Sequence, residues 1–255
     1  MTKQIPEQER SILLERMRLF GSILTKIGSF MRFFVTLAIP ILLVIGSVRV
    51  VMTRTWLFWE YTRPGLTVDS YGFNVKDRLT YGPYGIDYLI EQKPIKYLTD
   101  VRLPAAKCLF VTTDATDCAA FTEDELGHMA DVQRVTSTAF TVGLLVLVIG
   151  SVSAFMLWHY ARRRFYTALR DGGVLTLGLI VTIVLLASVA WDAFFDQFHA
   201  LFFTAGTWQF DFSQTLIRLY PEQFWFDAVL SVGVLVIAGA LALIAWSLSG
   251  MRGAH

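Results

Sequence analysis

His128 and His199 are the two residues of this chain whose type and setting suit proton transfer near neutral pH, where imidazole is the one side chain that titrates unaided. The chain has only four histidines. His159 stands beside a run of arginines and His255 is the last residue, so solvated roles suit both. His128 lies in "TEDELGHMADVQR", with Asp131 at helical spacing on its own face. Asp192, Asp196 and His199 fall at i, i+4 and i+7 in "WDAFFDQFHA". Each place puts an acid and a base on one helix face, so that Asp131 and Asp196 can orient an imidazole or meet the charge of an imidazolium. A carboxylate at the edge of hydrocarbon is costly unless paired or wetted, which makes the repetition more informative than a lone acid.

Arg49, Tyr61 and Tyr71 are candidates to steady an oxyanion. The usual nucleophiles are missing: the sequence holds no Gly-x-Ser-x-Gly elbow, no Ser-x-x-Lys and no cysteine in register with a histidine. Acid–base catalysis of a transfer between two groups of the substrate is therefore expected, without a covalent acyl-enzyme and without a cofactor. A second reading stays open, since "HMAD" and "DQFH" offer His and Asp at spacings that two helix faces can combine into a four-ligand N/O metal site.

Such residues need elements to hold them, and the composition says which. In 255 residues the hydrophobic fraction is 55% and the charged fraction 17%, and the mean hydropathy is +0.52. That balance belongs in a bilayer. Four apolar runs approach or reach the length needed to cross the hydrocarbon: 33–52, 138–158, 174–191 and 226–246. The expected fold is an all-α integral membrane protein with four transmembrane helices and a large extracytoplasmic loop, 53–137, between the first two. No small-residue cleavage site follows the first run, which is expected to stay as an anchor.

Basic flanks set the orientation. Lys3, Arg10, Arg16, Arg18, Lys26 and Arg32 precede the first run, and "HYARRRFYTALR" forms a basic cytoplasmic loop, 159–173, between the second and third. Both termini, including a tail at 247–255, are then cytoplasmic, and 53–137 and 192–225 lie outside. Within the N-terminal segment 1–32, Leu13, Met17, Phe20, Leu24 and Ile27 repeat at helical spacing, as in an amphipathic helix lying in the inner interface. Thr122 with Glu125 reads as a capping box, so a helix is expected to start there and run into the second span. The segment "AFFDQFHALFFTAGTW" reads as an elbow at the membrane edge.

Cys108 and Cys118 both fall in the expected outer loop, an oxidising setting in which a disulfide is expected. The net charge of +1 leaves no basic field to hold phosphates, which excludes nucleic acid as a partner.

The blocks "ELGHMADVQ" at 125–133, "DQFHALFFTAGTW" at 196–208 and "LIRLYPEQFWFD" at 216–227 resemble the lipoprotein intramolecular transacylase family of bacterial four-span membrane proteins. "RVVMTRTWLFWEY" at 49–61, "DSYGFNVKDRL" at 69–79 and "IDYL" at 86–89 look like that family's first outer segment. The resemblance implies an acyltransferase of the bacterial cytoplasmic membrane acting on diacylated lipoproteins among the membrane lipids. The sn-2 acyl chain of the S-diacylglyceryl cysteine would move to that cysteine's own α-amino group, giving a lyso-form lipoprotein. The family's catalytic histidine pair corresponds to His128 and His199. Two other functions fit the residues: a metal-dependent lipid-modifying hydrolase at the same site, and a non-enzymatic membrane scaffold or sensor.

Overall fold

In a computed structural model the chain is described over residues 7–109 and 116–252. His255 and the parts of the expected termini and outer loop beyond those limits lie outside the described residues. Four helices are long and apolar enough to cross a membrane: α1 (Glu7–Val51), α5 (Glu123–Tyr160), α6 (Arg162–Val189) and α9 (Glu222–Arg252). Between the first two come α2 (Arg54–Thr62), α3 (Val75–Ile90), α4 (Lys96–Thr99) and strands β1 (Arg102–Pro104) and β2 (Asp117–Ala119). Two short helices, α7 (Trp191–Phe202) and α8 (Thr215–Leu219), stand between α6 and α9.

The described chain divides into two compact units, one of 1–42, 145–176 and 239–255, the other of 43–144 and 177–238. In the first, α1 departs from the expected interfacial helix: it continues without a break into the apolar run. No proline or cap stands near residues 28–34 to stop it, and Pro40 is carried inside the helix. Arg32 reaches Asp171 of α6 at 2.6 Å and Arg164 Nη1 donates to the Thr25 carbonyl at 3.1 Å. The expected loop 159–173 is also helical, since only Ala161 separates α5 from α6. Its arginines, alanines and leucine are good helix formers, and the chain can turn at one residue and wind on. A Cβ at Gly173 would lie 2.7 Å from Ile244 and 3.0 Å from the Ala240 carbonyl, so only glycine admits α9 at that distance.

The second unit holds the polar chemistry. Asn74 and Asp77 exchange side-chain and backbone hydrogen bonds and start α3 with a capping box. Leu57, Tyr61, Tyr88, Leu98, Leu103, Phe121, Met129, Leu219 and Phe224 form its core, so the described residues of 53–122 are folded and not a bare loop. Burying each such large side chain is worth about 1.5–3 kcal/mol. Tyr61 donates its hydroxyl to the Leu219 carbonyl at 2.8 Å and Tyr220 donates to the Gly82 carbonyl, so α2, α3 and α8 are sewn together by phenols. The sheet went unforeseen; it pairs Leu103 with Cys118 in antiparallel register, and Cys118 is disulfide-bonded to Cys108.

The third apolar run stops earlier than its sequence reads. Helix α6 ends at Val189, Ala190 leaves the helical region with φ −141° and ψ 61°, and α7 begins at Trp191. Asp192, Asp196 and His199 thus sit on a separate helix, not on the exit of the third span.

Candidate active site

Thr122 and Glu125 place His128. Thr122 N donates to Glu125 Oε2 at 2.8 Å, and Glu125 N donates to Thr122 Oγ1 at 3.3 Å, completing the box at the start of α5. The second carboxylate oxygen accepts from Leu216 N at 2.6 Å, so Glu125, fully buried, also ties α5 to the first turn of α8. Further along α5, Gln133 Nε2 donates to the carbonyls of Tyr88 and Lys93, both at 2.9 Å. With the helix held on both sides of it, His128 has a fixed place.

His199 arrives from α7, and the two imidazoles lie with ring centres 6.4 Å apart and planes inclined at 28°. That is too far for a hydrogen bond between them and close enough for both to reach one small substrate group. Around them the chain supplies aromatic carbon. Phe203 and Phe210 meet His128 edge-on at 4.9 and 5.4 Å, while Phe195 and Trp208 lie against His199 at 4.0 and 4.7 Å. Trp208 is brought back by a turn in which Thr207 N donates to the Thr204 carbonyl at 3.2 Å. Gly206 in that turn has φ +85°, a conformation that favours glycine.

The two rings are held differently. His199 Nδ1 lies 2.8 Å from the Phe195 carbonyl. A carbonyl only accepts, so Nδ1 carries the proton and the neutral ring presents its lone pair at Nε2. Burial holds the His199 pKa below 6.5, against smaller upward pulls from that hydrogen bond and from Asp196. The ring is therefore neutral and basic at pH 7. His128 Nδ1 is buried with no hydrogen-bond partner among the described residues.

The other expected residues are placed elsewhere. Asp131 pairs with Arg134 at 2.9 Å and makes no hydrogen bond to His128. Asp196 is exposed, and its role as orienter of His199 is taken by the Phe195 carbonyl. Arg49 donates to the Met52 carbonyl at 3.3 Å, closing the end of α1. The Tyr61 hydroxyl is committed to Leu219. Tyr71 lines a neighbouring cavity of about 640 Å³, together with Trp191, Phe212, Phe226, Arg78 and Arg218. The four-ligand N/O site is not assembled, since among the described residues no three His, Cys, Asp or Glu side chains gather.

The residues that sequence reasoning missed are Phe203, Trp208 and Phe210 in the segment after α7, and the buried pair Arg78 and Arg218. Arg218 binds Asp69 at 3.3 Å, stacks on Phe73 at 3.6 Å and donates to the Tyr71 carbonyl at 3.0 Å. The density of aromatics after His199 was the only available signal for the first group.

Comparison with known proteins is consistent with this arrangement. The sequence profile of the family described as lipoprotein intramolecular transacylase Lit matches residues 33–225. A protein of Aquifex aeolicus (strain VF5), described as uncharacterized, is 29% identical over 189 residues, 74% of this chain and 80% of its own length. The in meso structure of the membrane integral lipoprotein intramolecular transacylase Lit from Bacillus cereus superposes with a TM-score of 0.69 at 16% identity, over 90% of this chain and 98% of that one. The same protein carrying a histidine-to-arginine mutation gives 0.68 at 16% identity, over 94% and 97%. At that identity the likeness is one of fold.

Proposed function

The chain belongs to the lipoprotein intramolecular transacylase family, and we propose that it moves the sn-2 acyl chain of a lipoprotein's S-diacylglyceryl cysteine to that cysteine's own α-amino group, with His128 and His199 as the catalytic pair. The observation that carries this reading is the pair itself: two imidazoles 6.4 Å apart in an aromatic pocket, one of them fixed with its basic nitrogen free.

The chemistry follows from the tautomer. His199 Nε2 takes a proton from the amine as the amine nitrogen attacks the ester carbonyl carbon. A C–N bond forms and the carbonyl π pair becomes an oxyanion. On collapse the C=O re-forms, the bond to the glyceryl oxygen breaks, and that oxygen receives the proton from His199. One proton thus travels from nitrogen to oxygen and no external acid is needed. His128 holds the other partner of the exchange by hydrogen bond. Bringing amine and ester of one floppy molecule into contact is itself a large saving, since well-oriented intramolecular reactions reach effective molarities of roughly 10⁵ M and above.

The basic residues before the first apolar run and around the α5–α6 junction support cytoplasmic termini, and with them a histidine pair at the outer face, where diacylated lipoproteins stand in the outer leaflet. The cavity on the α7 side, with apolar Trp191, Phe212 and Phe226 in its wall, gives the lipid part of the substrate room.

The test is mass spectrometry of the N-terminal lipopeptide of a model lipoprotein from cells making the intact protein, His128→Ala or His199→Ala. Acyl on the amine with the intact protein alone is the expected result. Transfer that persists in both variants would remove the pair from the chemistry, and a free amine beside abundant intact protein would reject the substrate.

A further inference from the structure

Resting on the transacylase reading, we propose that Trp208 is a third catalytic residue, whose indole N–H donates a hydrogen bond to the oxyanion formed when the amine attacks the ester. The reaction creates a negative charge on the former carbonyl oxygen, and an aromatic pocket has little to answer it with. Transition-state charge of this kind is stabilised by donors already in place, and such donors are among the largest contributors to acyl transfer.

Of the side chains expected to supply that donor, Arg49 closes its own helix on the Met52 carbonyl, the Tyr61 hydroxyl is given to Leu219, and Tyr71 lines the neighbouring cavity. Of the aromatic side chains against the two imidazoles, Phe195, Phe198, Phe203 and Phe210 offer no donor. Trp208 does, and its ring lies 4.7 Å from that of His199, inclined at 27°.

The Trp208 Nε1–H is buried and, among the described residues, makes no hydrogen bond. A buried donor left unanswered is costly, and indole can only donate. Three other buried side-chain atoms share that condition: Glu60 Oε1, His128 Nδ1 and Trp191 Nε1. Glu60 is an acceptor far from this chemistry by type, and Trp191 packs on Phe195 and Phe226 without ring contact to either histidine. His128 Nδ1 belongs to the catalytic pair already assigned, which leaves the Trp208 indole as the unanswered donor beside the base. The turn at Gly206 then gains a purpose, because it returns the chain so that an indole joins the phenylalanines around His199.

The indole proton is never transferred: the hydrogen bond stabilises the charged oxygen while the C–N bond is formed and lets go when the C=O returns, so the single proton still travels from nitrogen to oxygen.

The experiment replaces Trp208 in the full-length purified protein with β-(3-benzothienyl)alanine, which keeps the fused ring and puts sulfur where the N–H was, alongside Trp208→Phe. Transfer on a synthetic diacylated lipopeptide in micelles is measured with the thermal midpoint. The expected result is a fall in kcat of about 10²-fold for both variants, KM within about twofold, and an unchanged or higher thermal midpoint for the benzothienyl protein, since a buried unsatisfied donor has been removed. A benzothienyl variant that turns over like the intact protein would overturn the proposal and leave the transacylase reading standing. An intact protein that transfers nothing would overturn both.

Discussion

Within one turn of α5 the same helix handles buried polar atoms of two side chains in opposite ways. Both oxygens of Glu125 are answered, by Thr122 N and by Leu216 N, while Nδ1 of His128 is left without a partner. A buried group whose bonds are complete inside the chain stabilises the fold. One left incomplete costs about 1–3 kcal/mol and is retained when something from outside completes it. The contrast separates the first turn of α5, which builds the site, from the aromatic pocket, which uses it.

Exchanging the two behaviours gives the largest effects. His128→Phe is expected to reduce acyl transfer by at least about 10²-fold, with a thermal midpoint equal to or above that of the intact protein, read by differential scanning fluorimetry in detergent. Glu125→Ala should do the reverse: it strands two backbone donors at about 1–3 kcal/mol each, so that folded protein falls in yield and midpoint, and activity per folded molecule is reduced less than in the histidine variant. A Glu125→Ala protein as stable as the parent would undo the distinction.

The pH profile sharpens it. Because burial lowers the His199 pKa, the neutral base persists to more acid conditions than a free imidazole would, and the acid limb of kcat is expected below pH 6.5. The stability sign agrees: a ring kept neutral by the fold adds stability that is full above the unfolded imidazole pKa and is lost as pH falls below it. An acid limb above pH 6.5 would show a ring stabilised as imidazolium.

Asp131 should matter least. Its pairing with Arg134 is exposed, so Asp131→Asn is expected to change stability by less than about 1 kcal/mol and kcat by less than about twofold. A loss of tenfold or more would restore the acid to the histidine's service.

Much of this could be read from residues alone. The four apolar runs were visible because the bilayer imposes a length, and Thr122 with Glu125 because a capping box is local. The helix carrying His128 was drawn correctly for the same reason. What escaped was set by distant neighbours. "SVAWD" reads as uninterrupted helix, with no glycine or proline to mark the stop at Ala190. The basic stretch after Tyr160 reads as a loop because charge counts predict side, not conformation, yet those residues wind readily. Asp131 and Asp196 were drawn to the histidines by spacing alone; Arg134 and the Phe195 carbonyl decide otherwise, and neither competition is visible in a periodic pattern. Trp208 reaches His199 only through the turn at Gly206, so its contact is a product of tertiary return.

The bond from Leu216 N to Glu125 also orders events during synthesis. The two partners are 91 residues apart, so a nascent chain exposes the carboxylate at the head of α5 long before its acceptor role can be filled. The ribosome must deliver α6, α7 and α8 first. Until then the helix bearing His128 has an unlatched end, and the histidine of α7 has no settled neighbour. The latch on the helix of His128 therefore closes only once α8 has been delivered, and a chain cut short before Leu216 would carry both imidazoles without it.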